Sequence, residues 1–286
     1  MANKFHIRSN SFPTGSHPSI SRIEEELTKL KTWEASSTST SNSIGTGLSL
    51  LSDLHICLED VLNMASTQKL ISNNQGEKFI EELLDGSVRI LDICDITRDT
   101  FLQIKENVES LHSALRRRKG DSSIERIVAE YTLFSKKMKK NAKKLMTTLK
   151  QMENKFGVSP VMDEDQQLVS LIRVVREVII MNMSVFQSLL AFLAVPASKS
   201  KATKWVLVAK LMQKGVKAQK NLNELQCVDA SLSILLSEGT NVAKMEAVNE
   251  RLEALENGIE SIENGLESVF RRMVRTRACL LNIMTQ

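Results

Sequence analysis

The chain has 286 residues, 42% of them hydrophobic and only 4% aromatic, with 4 Pro, 11 Gly and a formal net charge of +4. The apolar share is ample for one large core or two ordinary ones, and the scarcity of aromatics beside much Leu, Met, Lys and Glu excludes a strand-rich fold. The mild net charge hides a local excess: thirteen Lys/Arg stand against four acids from Arg116 to Lys155, and seven Lys with no acid lie between Lys199 and Lys220.

The first stretch, Met1 to about Arg22, is Ser-rich and free of acids. Its composition fits a disordered arm and only superficially a plastid transit peptide, since acids arrive at Glu24, Glu25 and Glu26. No apolar run of the kind a secretory signal needs follows the start. Ser19 or Ser21 caps a short amphipathic helix whose Ile20, Ile23, Leu27 and Leu30 share a face. Ser36 to Ser43 then holds only Ser, Thr and Asn, which read as a linker because they offer nothing apolar to offset the entropy of ordering them. Residues 1–45 are therefore expected as a flexible arm, and residues 46–286 as a helical bundle domain.

The body begins with Leu48, Leu51, Leu54, Leu58, Val61 and Leu62 at helical spacing, up to a break at Ser72 to Gly76. A second helix runs from about Glu77 to Arg117, with Cys94, Phe101, Ile104, Val108, Leu111 and Leu115 on one stripe and Thr97 its polar exception. Gly120-Asp121-Ser122-Ser123 ends it and offers N-cap residues for a third helix, about Ser123 to Lys155. A fourth helix runs to Val195 before Pro196, a fifth, lysine-rich one covers about Lys201 to Gln219, and a weaker helical piece spans Leu222 to Leu236. The spacing predicts an all-α bundle of long antiparallel hairpins.

The terminal helix carries the strongest signal. Met245, Leu252, Ile259, Leu266, Met273 and Leu280 recur every seventh position, and Val248, Leu255, Ile262, Val269, Thr276 and Ile283 follow each by three. That alternation is a coiled-coil-like seam, about 58 Å long at ~1.5 Å per residue, which demands partner helices from the same chain or from a second copy. Gly258 and Gly265 repeat beside the seam, where glycine costs about 1 kcal/mol, so another backbone is expected to approach closely there. The helix is acidic from Glu246 to Glu267 and basic at Arg271, Arg272, Arg275 and Arg277, a polarity that suits an antiparallel neighbour. Leu252, Leu255, Ile259, Ile262, Leu266 and Val269 are the seam residues on which an interaction, homo-oligomeric or internal, would rest.

Chemistry is harder to find. Cys57, Cys94, Cys227 and Cys279 are far apart with no C-x-x-C pair, and His6, His17, His55 and His112 are scattered, so no metal or other cofactor is expected. Asp92, Asp95 and Asp99 lie near Arg89 and Arg98 as a salt-laced surface, without the helical E-x-x-H of a di-metal site. No phosphate loop, G-x-S-x-G elbow or H-E-x-x-H occurs, and no small-molecule substrate suggests itself. A non-enzymatic protein is expected.

Arg116, Arg117 and Arg118, followed by Lys136, Lys137, Lys139, Lys140, Lys143 and Lys144, form a basic patch. It reads as a nuclear-import address, a surface for anionic lipid, a calmodulin-type target or a solvated lysine face. Nucleic acid is disfavoured, since stacking aromatics are nearly absent from the basic stretches. Val178 to Ser198 carries no charge and is long enough to cross a membrane, but Asn182, Ser184, Gln187 and Ser188 inside it favour a buried central helix. In the arm, Arg8, Ser9, Ser11 and Pro13 make the pattern a 14-3-3 protein reads once Ser11 is phosphorylated.

Several segments in order resemble a plant family of uncharacterised proteins, domain of unknown function 241, which includes BYPASS-like members. They are His6-Ile7-Arg8-Ser9-Asn10-Ser11-Phe12-Pro13, Ser16-His17-Pro18, Ile23-Glu24-Glu25-Glu26-Leu27 and Phe79-Ile80-Glu81-Glu82-Leu83-Leu84-Asp85-Gly86-Ser87. Ser113-Ala114-Leu115-Arg116-Arg117-Arg118, Val185-Phe186-Gln187-Ser188-Leu189-Leu190, Lys204-Trp205 and Phe270-Arg271-Arg272 continue it. The resemblance implies a helical land-plant protein with a part in root or shoot development, and brings no catalytic residue. Protein partners through helical surfaces are expected, with an anionic membrane surface as the alternative, in the cytoplasm, the nucleus or at a membrane periphery.

Overall fold

A computed structural model describes residues 18–71, 74–117, 121–156, 166–194, 222–238 and 242–285. Among them are eight helices and no strand, so the chain is an all-α bundle. The helices are α1 Pro18–Ser36, α2 Ser41–Leu62, α3 Ala65–Ile71, α4 Asn74–Arg116, α5 Asp121–Phe156, α6 Gln166–Ala194, α7 Glu224–Glu238 and α8 Val242–Met284. The lysine-rich helix expected over 201–219 lies outside the described residues, as does the first part of the arm.

Helix α8 is the axis of the bundle. Every member of its seven-residue repeat is buried except Met245, which is partly buried against the same core. The seam is filled from within the chain, chiefly by α2 and α4. Gly258 and Gly265 mark the close approach of α2: a Cβ on Gly258 would stand 2.6 Å from Ser41 Oγ, and one on Gly265 would stand 3.0 Å from the Leu48 side chain. The residue numbers rise together along the two helices, and Ser52 also meets Ser268 at 2.9 Å, so α2 and α8 run parallel. The antiparallel neighbour expected from the charge polarity is α4. Arg98 pairs with Glu267, Lys105 with Glu263 at 3.3 Å, and His112 with Glu256 at 2.9 Å, one set of numbers rising as the other falls. At the far end Arg277 donates to the Leu84 carbonyl at 2.7 Å and to Ser87 Oγ at 2.9 Å.

Three boundaries differ from the sequence expectation. The helix of the arm belongs to the core: Ile23, Leu27, Leu30 and Trp33 of α1 are buried, and Trp33 Nε1 donates to the Ser43 carbonyl at 2.8 Å. The presumed linker 36–43 contains the start of α2, so a boundary at 45/46 passes through that helix. Polar bonding rather than apolar burial orders it. Thr40 caps α2 by accepting from the Ser43 N–H at 3.3 Å, and Glu224 of α7 receives the Ser41 N–H at 3.1 Å and the Ser41 hydroxyl at 2.7 Å. The helix expected to continue to Ser72 stops at Leu62, where the Asn63 N–H still bonds the Glu59 carbonyl at 3.1 Å, and α3 follows as a separate short helix.

Helix α6 is the second internal element. Its apolar stretch Leu168–Ala194 is long and apolar enough to cross a membrane by composition, yet most of it is buried inside the bundle. Its polar edge is tied down by Glu24 to Arg173 at 3.5 Å and Lys31 to Glu177 at 2.8 Å on α1, and by Arg176 to Glu82 at 3.5 Å on α4. Thr97, the polar exception on the α4 stripe, is fully buried and satisfies its hydroxyl on the Ile93 carbonyl at 2.6 Å.

Candidate functional site

Two polar arrangements stand out, one inside the bundle and one on its surface. Inside, His55 of α2 is sandwiched between α6 and α8. Its Nε2 lies 3.0 Å from Asn182 Oδ1, and its Nδ1 lies 3.0 Å from Thr276 Oγ1. Asn182 donates its own Nδ2 to the Val178 carbonyl at 2.8 Å, so its oxygen faces the imidazole and must accept. The neutral histidine therefore carries its proton on Nε2, and Nδ1 accepts from the Thr276 hydroxyl. Burial pushes the His55 pKa down to about 4, against the Asn182 hydrogen bond and with help from the Arg272 charge. This is a satisfied core histidine that ties three helices, and it explains the threonine within the apolar repeat.

The thiols are equally structural. Cys57, Cys94 and Cys227 are buried and Cys279 is half-buried, and none is in a disulfide. Burial pushes the Cys94 thiol up to about 12, far from a nucleophilic thiolate. Among the described residues no group of three His, Cys, Asp or Glu gathers at one place.

The surface arrangement lies on α5. Lys136, Lys137, Lys140, Lys143 and Lys144 are exposed, and Lys139 is half-buried in an ion pair with Asp229 of α7. Among the described residues Lys139 is the one member of this set with an acidic partner. Residues 136, 139, 140, 143 and 144 fall on one broad face because helical spacing brings i, i+3, i+4, i+7 and i+8 together. They rim a groove between α5 and α7 of about 680 Å³. Its floor is apolar: Val128 and Tyr131 from α5, Ala194 from the end of α6, and Leu232 and Leu236 from α7.

Tyr131 is 2% exposed, and its hydroxyl has no hydrogen-bond partner among the described residues. Burial first, and then the nearby Asp229 carboxylate, raise its ionisation well above the usual tyrosine value, so it stays a neutral phenol. Leu236 is 49% exposed, a large apolar side chain left at the groove's edge.

The sequence's single basic patch is two. Arg116 and Arg117 are exposed at the end of α4, and Arg118 lies outside the described residues. Lys136 is fifteen residues into α5, about 22 Å along its axis, so the arginines and the lysines do not converge. The seam residues Leu252, Leu255, Ile259, Ile262, Leu266 and Val269 are all buried against the chain's own helices. Arg8, Ser9, Ser11 and Pro13 lie outside the described residues. Sequence reasoning missed Tyr131, Asp229, Leu232 and Leu236 as parts of one site. Nothing in the spacing of either helix announces that α7 crosses beside α5.

The architecture is thus an all-α bundle closed on itself, with a cationic groove on its outside. The chain belongs to the Protein BPS1 family, whose model matches residues 47–283. Membership makes it a plant developmental regulator without assigning a biochemical role, in line with the resemblance seen in the sequence. The match covers every helix that contributes to the groove and leaves out the Arg8–Pro13 segment. No curated protein and no solved structure matches the chain.

Proposed function

We propose that the protein is a non-enzymatic interaction protein of plant development, which engages an acidic protein partner through the lysine face of α5. The observation that carries this reading is the imbalance on that face. Arg98 and Lys105 of α4 are matched by acids on α8, whereas among the described residues Lys136, Lys137, Lys140, Lys143 and Lys144 of α5 stand together and exposed without one. Long unmatched lysines on one rigid helix create a field that steers an acidic surface and selects against a basic one. The cytoplasm and the nucleus are the compartments this reading proposes.

Replacing Lys136, Lys137 and Lys140 together by Glu reverses the charge of exposed positions and should leave helicity unchanged. The altered chain should lose the partner that the wild type retains from plant extract, and wild-type retention should weaken steeply with added salt. Equal capture by both chains would end the reading. Flotation of the wild type with vesicles of acidic phospholipid, in the absence of any captured protein, would replace it with adsorption to a membrane surface.

A further inference from the structure

Beyond an interaction face, the α5–α7 groove has the features of a ligand site. We infer that it binds a single-chain amphiphile with an anionic head, a carboxylate or a phosphate monoester, the chain lying on the apolar floor and the head held by the lysine rim.

The dimensions select that class. A volume of about 680 Å³ falls among small-ligand sites, which run from roughly 300 to 1,000 Å³. A methylene displaces about the volume of a water molecule, ~30 Å³, so the groove has room for one long chain and its head. The lining divides the ligand in the same way. Val128, Ala194, Leu232 and Leu236 offer apolar contact, and Lys136, Lys140, Lys143 and Lys144 offer positive charge on one side. The single acid in the lining, Asp229, is neutralised by Lys139 and does not repel an anion.

Two further observations point to an occupant. The buried, neutral hydroxyl of Tyr131 lines the groove beside the Asp229 carboxylate but without a well-formed hydrogen bond to it, and such a donor gains from a further acceptor. A water carried into the groove with the ligand would satisfy it. The chain immediately beyond Ala194 offers no anion of its own, since 199–220 holds seven Lys and no acid. Among the described residues Lys136, Lys140, Lys143 and Lys144 of the rim have no acidic partner, and an anionic head would supply one.

The test uses the full chain with monomeric sodium palmitate and palmitoyl lysophosphatidic acid, the two sources of the head, and hexadecanol as the uncharged control. Titration calorimetry should give one anionic ligand per chain. Lengthening a fatty acid from twelve to sixteen carbons should tighten binding by about fourfold per methylene. Leu236→Glu, at a half-exposed position, should weaken both anionic ligands roughly tenfold or more with unchanged circular dichroism. Lys143→Glu with Lys144→Glu should weaken the anionic ligands and leave hexadecanol unaffected. Whichever of the two heads binds more tightly names the source. Failure of both to bind, equal affinity for hexadecanol, indifference to Leu236→Glu, or retention only on vesicles containing phosphatidylserine would each overturn the site. None of these readouts involves a protein partner, so the ligand and the partner can fail separately.

Discussion

Replacing Ile259 and Ile262 together by Lys is expected to unfold the chain. Both side chains are fully buried, in the stretch of α8 covered by α2 and α4. Each substitution removes a core side chain and places an ammonium in the apolar seam, at a cost of several kcal/mol. Two such costs approach the whole stability of an ordinary domain, about 5 to 15 kcal/mol. Circular dichroism should show the loss of most helix and of a cooperative thermal transition. If an oligomeric wild type instead became a folded monomer by light scattering, the seam would be an interface between copies, and the packing described above would be wrong.

Stability should fall by roughly 3 kcal/mol as the pH is lowered from about 6.5 to about 4, most of it through His55. The histidine takes up its proton near 6.5 when unfolded but only near 4 in the bundle. Between those values the unfolded state binds more protons, so stability is full above 6.5 and drains away as the pH falls through the window. Burial is the main cause, because the imidazolium would lie between three helices with no carboxylate in contact. Glu59 acts in the opposite sense, since burial raises its carboxyl and favours the protonated form in the folded state. Urea unfolding across this pH range should show the slope in the wild type and a flatter one in His55→Gln. Parallel slopes in the two proteins would remove His55 as the cause.

The long helices were legible because their apolar stripes are continuous, and the α8 repeat named its buried positions almost one for one. The paired glycines announced a close neighbour, and Ser41 and Leu48 supply it. What the pattern could not give was which helix fills which side. A seven-residue repeat is blind to direction, so the charge polarity of α8 pointed to the antiparallel α4 and missed the parallel α2. The polar stretch 36–43 was unreadable for a different reason. Its order comes from Glu224, more than 180 residues away in sequence, and a cap supplied across the bundle leaves no local trace. The groove shares that difficulty. Its rim was visible as a lysine run, but its floor joins α5, α6 and α7, and only the fold brings Tyr131 beside Asp229 and Leu236.

The central claim is that α8 builds the protein while the outer face of α5 does its work. Amide hydrogen exchange on the full chain, free and bound to the partner captured from plant extract, tests it most directly. The account predicts strong protection of residues 252–269 in both states and new protection confined to 131–144 and the facing turns of 229–236 on binding. New protection in 252–269 on binding, with 131–144 unchanged, would contradict it.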